Sequence, residues 1–232
     1  MKLSTRTFKY RWHKFFGTKQ IRINGVKVST SLEDISPTVQ KDLFRGTYED
    51  IECQFVEQFI RPNNRVLEVG CGIGLVSLVA SRICANGSVK SYEANPHLEN
   101  LIKKNYALNG LSPDLEMKAI TVDGDNHDFF IDPEIISSSQ FDRKKGHQKE
   151  IVNSVALDDV INSYRPDTII MDVEGAEVEL LGKSLLTGIS QIVIELHPHI
   201  VGNKKVNYLK EKLAENGFGI IAQKGKVYFF KR

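Results

Sequence analysis

The sequence predicts an α/β fold: a doubly wound, mostly parallel sheet with helices on both faces and an antiparallel hairpin at its C-terminal end. Three observations carry this expectation. Short apolar runs such as "RVLEVG", "TIIMDV" and "QIVIEL" read as buried strands and alternate with segments of helical spacing. Glycine or Asn-Gly pairs close several of those helices. The last two runs, "FGIIAQ" and "KVYFFK", flank Lys224-Gly225 and read as an antiparallel pair.

Each element follows from local pattern. "KQIRINGVKVST" alternates around Asn24-Gly25, a dipeptide suited to a type I′ turn, and is expected to form a small hairpin. "YEDIECQFVEQFI" places Ile51, Phe55, Phe59 and Ile60 at helical spacing and stops at Pro62. "RVLEVG" is then the first strand of the main sheet, followed by a helix from Leu75 to Cys84 that ends at Asn86-Gly87. "SVKSYEA" is the second strand, and Pro96 opens a helix through "HLENLIKKNYALN", closed by Gly110. "LEMKAITV" is expected to be a single third strand.

Asp123 to Asn153 is polar and reads as an insertion or mobile loop, the natural place for a substrate lid. "ALDDVINSY" is a short helix, "TIIMDV" a strand, "GAEVELLGKSLL" a helix and "QIVIEL" a strand. "KKVNYLKEKLAENG" is a helix that leads into the final hairpin. The expected division is residues 1–45 as a basic N-terminal arm with its hairpin, and 46–232 as the main domain with an insertion near 123–153.

With 41% hydrophobic and 26% charged residues, the 232-residue chain can bury a full core and has the composition of a soluble protein. A net charge of +2 speaks against a dedicated nucleic-acid binder. The charge is nevertheless uneven. Met1 to Leu32 contains no Asp or Glu, while Lys2, Arg6, Lys9, Arg11, Lys14, Lys19, Arg22 and Lys27 interleave with Phe8, Tyr10, Trp12, Phe15 and Phe16. Such an arm suits contact with an anionic membrane surface or an acidic partner, or a solvated lead-in whose aromatics pack on the domain. There is no apolar run long enough for a membrane span and no apolar core of a secretory signal. Cys53, Cys71 and Cys84 are odd in number and lack metal-ligand spacing, so a reducing, cytoplasmic setting is expected.

The stretch "VLEVGCGIGL" places an acid, Glu68, two residues before Gly70, Gly72 and Gly74. Glycines there let a ligand approach the backbone. Their spacing is GxGxG, where a dinucleotide fingerprint would need glycine at Leu75. Glu93 ends the second strand and can accept hydrogen bonds from both hydroxyls of a ribose. This set resembles the cofactor site of the Rossmann-like methyltransferases that use S-adenosylmethionine, whose seven-strand sheet also ends in a reversed strand.

"MDVEGAEVELLG", Met171 to Gly182, narrows the resemblance to the FkbM-type methyltransferases. "GTYEDIE", "SVALDDVI" and "IVIELHP" are similar to further segments of that family, and the likeness runs from Gly46 to Pro198. Two positions depart from it: Met171 stands where the family commonly has lysine, and Cys71 where it often has alanine. The resemblance implies S-adenosyl-L-methionine as cofactor and methylation of a hydroxyl on a sugar, glycan, glycolipid or related natural product, with no nucleic-acid partner. Methylation of RNA or protein, or a non-catalytic scaffold retaining the cofactor fold, are the alternatives. Cofactor contacts are expected from Tyr48, Glu49, Glu68, Gly70, Gly72, Gly74, Glu93, Ala94, Asn95 and Asp172, with Asn95 bordering the adenine.

His197, Asp172 and Glu174 are the catalytic candidates. Histidine titrates near neutrality, so His197 at a strand end is the preferred general base, ahead of His199. Asp172 would orient the acceptor hydroxyl or the cofactor's ammonium. Glu177 reads as an acid favoured near a helix N-terminus. Asn105 and Asn109, four apart, suit capping or packing as well as ligand contact. No metal is expected, although Asp172, Glu195 and His197 are oxygen- and nitrogen-bearing side chains at strand ends that would suit a divalent ion.

Overall fold

The computed structural model describes residues 5–84, 88–131, 138–139 and 148–232. The N-terminal region is more ordered than a lead-in. It forms α1 (Thr5–Phe15), the hairpin β1 (Gln20–Ile23) and β2 (Val26–Ser29), and α2 (Pro37–Arg45). The hairpin turns on Asn24 and Gly25, both at positive φ (45° and 78°), as a type I′ turn requires. Ser36 caps α2 by accepting the Val39 N–H, and the helix buries Val39, Leu43 and Phe44.

The remaining elements are α3 (Asp50–Phe59), β3 (Val66–Val69), α4 (Leu75–Ile83), β4 (Val89–Tyr92), α5 (Glu99–Ala107), β5 (Asp114–Glu116) and β6 (Ala119–Thr121). They continue as β7 (His127–Ile131), β8 (Ser138–Ser139), β9 (Gln148–Val152), β10 (Ser154–Ala156), α6 (Leu157–Tyr164), β11 (Thr168–Met171) and α7 (Glu177–Lys183). The chain ends with β12 (Gln191–Glu195), α8 (Pro198–Val201), α9 (Asn203–Glu215), β13 (Gly219–Lys224) and β14 (Val227–Lys231).

Seven strands form the main sheet in the order β13-β14-β12-β11-β3-β4-β5. The five inner and edge strands from β12 to β5 run parallel, and β14 is antiparallel to both its neighbours. This is the expected doubly wound architecture. Alternation along the strands divides the core. Val66, Ile170, Val193 and Phe229 face α3, α4 and α5. Leu67, Ile169, Met171, Ile192 and Phe230 face α6, α7 and α9. Strand order reverses between β3 and β11, which places a crevice at their C-terminal ends.

The third strand departs from expectation. "LEMKAITV" breaks at Met117-Lys118, where the Lys118 N–H bonds to Glu116 O at 3.0 Å and closes a tight turn. β5 alone joins the main sheet, and β6 pairs instead with β10. Within the polar segment, β7, β8 and β9 form a three-stranded antiparallel sheet rather than a loop. Residues 132–137 and 140–147 of the expected lid lie outside the described residues.

Asn105 and Asn109 are structural clips. Asn105 Oδ1 accepts the Ser29 N–H at 2.8 Å, and its amide donates to Ile73 O at 2.9 Å. Asn109 bonds both the N–H and the carbonyl of Lys27. Together they fasten the N-terminal hairpin to α5 and, through Ile73, to the glycine loop. Among the described residues no helix is long and apolar enough to cross a membrane.

Candidate active site

The register of β3, β11 and β12 aligns Val69 with Met171 and Met171 with Ile194, so the next residues of all three strands emerge at one edge. Gly70 follows β3 at φ 82°, and a Cβ there would lie 1.9 Å from the carbonyl oxygen of Asp172. Only glycine allows this crossing. A Cβ at Gly72 would meet the Tyr48 hydroxyl at 3.1 Å and Glu49 Oε1 at 3.3 Å. Tyr48 and Glu49 therefore lie over the glycine loop, as the sequence suggests.

Glu68 points to the α3–α4 side from inside β3 and is 1% exposed. Its partner in register on β4 is Ser91, whose hydroxyl donates to Glu68 Oε2 at 2.8 Å. Burial nonetheless pushes its carboxyl up to about 7. Glu93 takes up the loop itself: Oε2 accepts the Gly72 N–H and Oε1 the Asn95 N–H, each at 2.9 Å. Asn95 Oδ1 accepts the His97 N–H and caps the turn that opens α5. Ala94 packs against Ala119 and Val152.

Glu49, Glu52, Glu68, Asp172 and Glu195 line a single cleft with Gly70. Glu49 stands at the N-cap of α3 with left-handed backbone and Glu52 lies in the first turn, and both line the same space. The crowding is costly. Burial first, then Glu195 and Asp50, raises Glu52 to about 7. Glu49 is held well above the ordinary carboxylate range by burial and then by Glu52 and Asp172. Asp172 is likewise raised, by burial and then by Glu195. Glu49 Oε2 and Asp172 Oδ1 are buried and accept no hydrogen bond. Asp172 Oδ1 has only the His197 imidazole, 3.6 Å away, to answer it, and a cleft lined by such carboxylates suits a cationic group.

A second cluster adjoins this cleft. His197 is 3% exposed. Its Nδ1 and its backbone N–H both lie 2.9 Å from Oε1 of Glu177. Oε2 of Glu177 accepts the Gly175 N–H at 2.6 Å. The other ring nitrogen, Nε2, lies 3.3 Å from Glu174, 3.6 Å from Asp172 and 3.7 Å from Glu195. Burial alone would lower the pKa of His197. The Glu177 hydrogen bond and the charges of Asp172, Glu177 and Glu174 outweigh it and raise the value above 6.5.

The structure brings His197, Asp172 and Glu174 together, and it puts Glu177 in the first turn of α7, where the sequence expects an acid, while adding a contact with His197 that the sequence did not indicate. Glu177 is fully buried and braces the imidazole from behind. The usable signal was an acid inside the run "EGAEVELL" on the same helix face as Leu180 and Leu181, three and four residues on, both buried. Glu52 was missed as well, because Glu49 stands outside α3 at its N-cap and no helical spacing links the two acids. The His199 ring lies beside that of His197, tilted by 58° with ring centres 5.7 Å apart. Asp172, Glu195 and His197 each present a ligand atom, and these atoms lie within 4.8 Å of one another. All three cysteines are free and buried, and burial pushes each thiol up, away from nucleophilic use.

The model of the FkbM methyltransferase domain matches residues 68–220, more than half of the chain. The chain belongs to the FkbM methyltransferase family. Its cofactor is S-adenosylmethionine, and the chemistry of the site suits that cation: glycines keep side chains off the loop, and carboxylates line the cleft beside it. A curated relative, the ribosomal protein L11 methyltransferase of Oceanobacillus iheyensis, is 24% identical over 120 residues. The match takes in 46% of this chain and spans only 37% of that relative's length.

Solved structures show more distant likeness. Ribosomal protein L11 methylase from Lactobacillus delbrueckii subsp. bulgaricus is 14% identical with a TM-score of 0.48, over 80% of this chain and 77% of that one. TYW2 from P. horikoshii is 13% identical with a TM-score of 0.48, over 99% of this chain and 83% of that one.

Proposed function

We propose that this FkbM-family methyltransferase methylates a hydroxyl oxygen on a sugar, glycan, glycolipid or related natural product. The observation that carries the reading is the buried His197, braced at Nδ1 by Glu177, with Nε2 turned toward the crevice where Asp172, Glu174 and Glu195 border solvent. An alcohol is a poor nucleophile until its proton is leaving, and an imidazole there is placed to take that proton at Nε2. When bound, S-adenosylmethionine supplies the electrophilic methyl group.

Each residue then has a task. Glu93 fixes the glycine loop, Glu49 and Asp172 hold the cofactor's ammonium, and Glu68 lends negative charge beneath it. Glu174 and Asp172 orient the hydroxyl beside His197, so that oxygen, carbon and sulfur are brought into line. Glu177 fixes the tautomer that keeps Nε2 free as acceptor and stabilises the imidazolium that forms. Proton balance is simple: the hydroxyl proton ends on His197 and leaves to solvent past Asp172.

The test is transfer of labelled methyl from S-adenosylmethionine into source-cell extract, separated into glycan, lipid, small-molecule, protein and RNA fractions. Label in one of the first three is expected. Label confined to protein or RNA overturns the acceptor class. The 4.8 Å clustering favours a second reading, in which Asp172, Glu195 and His197 hold a divalent cation and His197 is a ligand rather than the base. Turnover abolished by EDTA and restored by Mg²⁺ selects it.

A further inference from the structure

Helix α1 presents two unlike faces. Its inner face rests on α2: the Tyr10 ring lies 6.5 Å from that of Phe44, and His13 stacks on Phe44 at 5.1 Å. No residue of the helix is fully buried. At about 100° per residue, Phe8, Trp12, Phe15 and Phe16 fall within one arc roughly 100° wide on the opposite side. Phe16 keeps the helical path through its N–H bond to Trp12 O at 3.1 Å.

These four rings are 57, 54, 84 and 59% exposed. They form a continuous strip, with centroids 6.1 Å apart for Phe8–Trp12, 4.6 Å for Trp12–Phe16 and 5.1 Å for Phe15–Phe16. Scattered exposed apolar residues need no explanation, but a joined strip of four aromatics marks a contact surface. Lys9 and Arg11 fall on the two borders of that strip, and no acid occurs before Glu33.

We infer that α1 docks the protein on an anionic lipid bilayer. The rings enter the boundary between headgroups and acyl chains, and the ammonium of Lys9 and guanidinium of Arg11 reach the headgroup phosphates on either side. The shape decides against nucleic acid. Bases stack on rings set in a basic groove or on a sheet platform. Here the rings crown a convex helix with the cations at its margins, which is the arrangement of an interfacial helix. Tyr10 and His13 hold the helix to the body, so the whole domain follows it to the surface. The inference is independent of the acceptor.

Trp12 is the chain's only tryptophan, so its emission reports on this helix alone. The full chain is titrated with phosphatidylcholine vesicles, pure or with about 30% phosphatidylglycerol. Expected are a blue shift and co-sedimentation with the anionic vesicles, at least about tenfold weaker on the neutral ones. The triple variant Phe8→Ala, Phe15→Ala, Phe16→Ala should lose at least about tenfold in partitioning while its thermal melt and S-adenosylmethionine titration stay at wild-type values. Lys9→Glu with Arg11→Glu should abolish the preference for anionic lipid. No shift with either vesicle overturns the proposal. So does undiminished anionic binding by the triple variant, or ring-dependent binding to an RNA oligonucleotide that outcompetes the vesicles.

Discussion

The two halves of the active edge treat buried acids in opposite ways. On the β3–β4 side, Glu68 and Glu93 are answered by neutral donors: a serine hydroxyl for one, two backbone N–H groups for the other. On the β11–β12 side, Asp172, Glu174, Glu177 and Glu195 converge on one imidazole. Dipolar donors fix a carboxylate in place without neutralising it, which suits a preorganised cofactor loop. A shared imidazole ties several carboxylates to one movable proton, which suits acid–base chemistry. On the proposed reading the first half fixes the cofactor loop and the second handles the proton, with Asp172 shared between the two tasks.

The sharpest way to break that assignment is to remove the imidazole. His197→Ala should lower turnover by about 10²–10⁴-fold, the range of a lost general base. Its affinity for S-adenosylmethionine, measured by calorimetry, should stay within about threefold of wild type, because the imidazole is given no part in holding the cofactor. Wild-type turnover in this variant would remove His197 as the base. Glu93→Gln should do the converse. It replaces two charge-assisted acceptor contacts, so cofactor affinity should fall by about 10–100-fold with turnover at saturation little changed. A loss in both parameters for both variants would merge the two halves into one unit.

The halves were not equally legible. The strands β3 and β4, the glycines between them and the acid after β4 are local signals, and each landed where the sequence put it. The C-terminal positions of Asp172 and His197 followed from the strands that carry them. Glu177 did not, because an acid at the start of a helix already has an explanation in the helix dipole. Only the fold shows that β12 brings the His197 backbone and ring to it. The β5–β6 break was hidden for a similar reason: Met117 and Lys118 continue the alternation of "LEMKAITV", and the turn between them depends on where β10 offers a second partner. Asn105 and Asn109 act on a hairpin some 80 residues away in sequence, which spacing along α5 cannot reveal.

Acidity sharpens the comparison further. Burial raises the cleft carboxyls Glu52 and Glu68 to about 7. Raising the pH ionises them, and an ionised cleft attracts the cofactor's positive charge. S-adenosylmethionine affinity should therefore rise by about tenfold between pH 6 and pH 8, with protons released on binding. Calorimetry in buffers of different ionisation enthalpy reads that release. Binding without proton release would place the cofactor's charge elsewhere.

On the proton-handling side the sign is set by His197. Its protonated form is inactive as a base, and its pKa is raised. In EDTA, kcat/KM should climb with pH through a midpoint above the ordinary histidine value of about 6.5. Glu177→Gln keeps an acceptor for Nδ1 but removes a charge, so the midpoint should move down by up to about one unit. An unchanged midpoint would make Glu177 a packing group rather than a brace for the imidazolium.

The smallest effect expected is on stability, and it isolates Glu68 from the cofactor. Its pKa is about 7 in the folded chain, against about 4.5 when unfolded. A raised carboxyl means that the folded state keeps a proton which the unfolded state loses. Its favourable contribution is complete below about pH 4.5 and is lost as the pH rises through 7. Glu68→Gln removes that titration while leaving an oxygen for the Ser91 hydroxyl. Without cofactor, the variant should melt a few degrees above wild type at pH 8, on the order of 2 kcal/mol, and level with it at pH 5. The same variant should flatten the rise in cofactor affinity between pH 6 and pH 8. A gain as large at pH 5 as at pH 8 would trace the effect to packing inside β3 and leave the acid without a reason in its electrostatics.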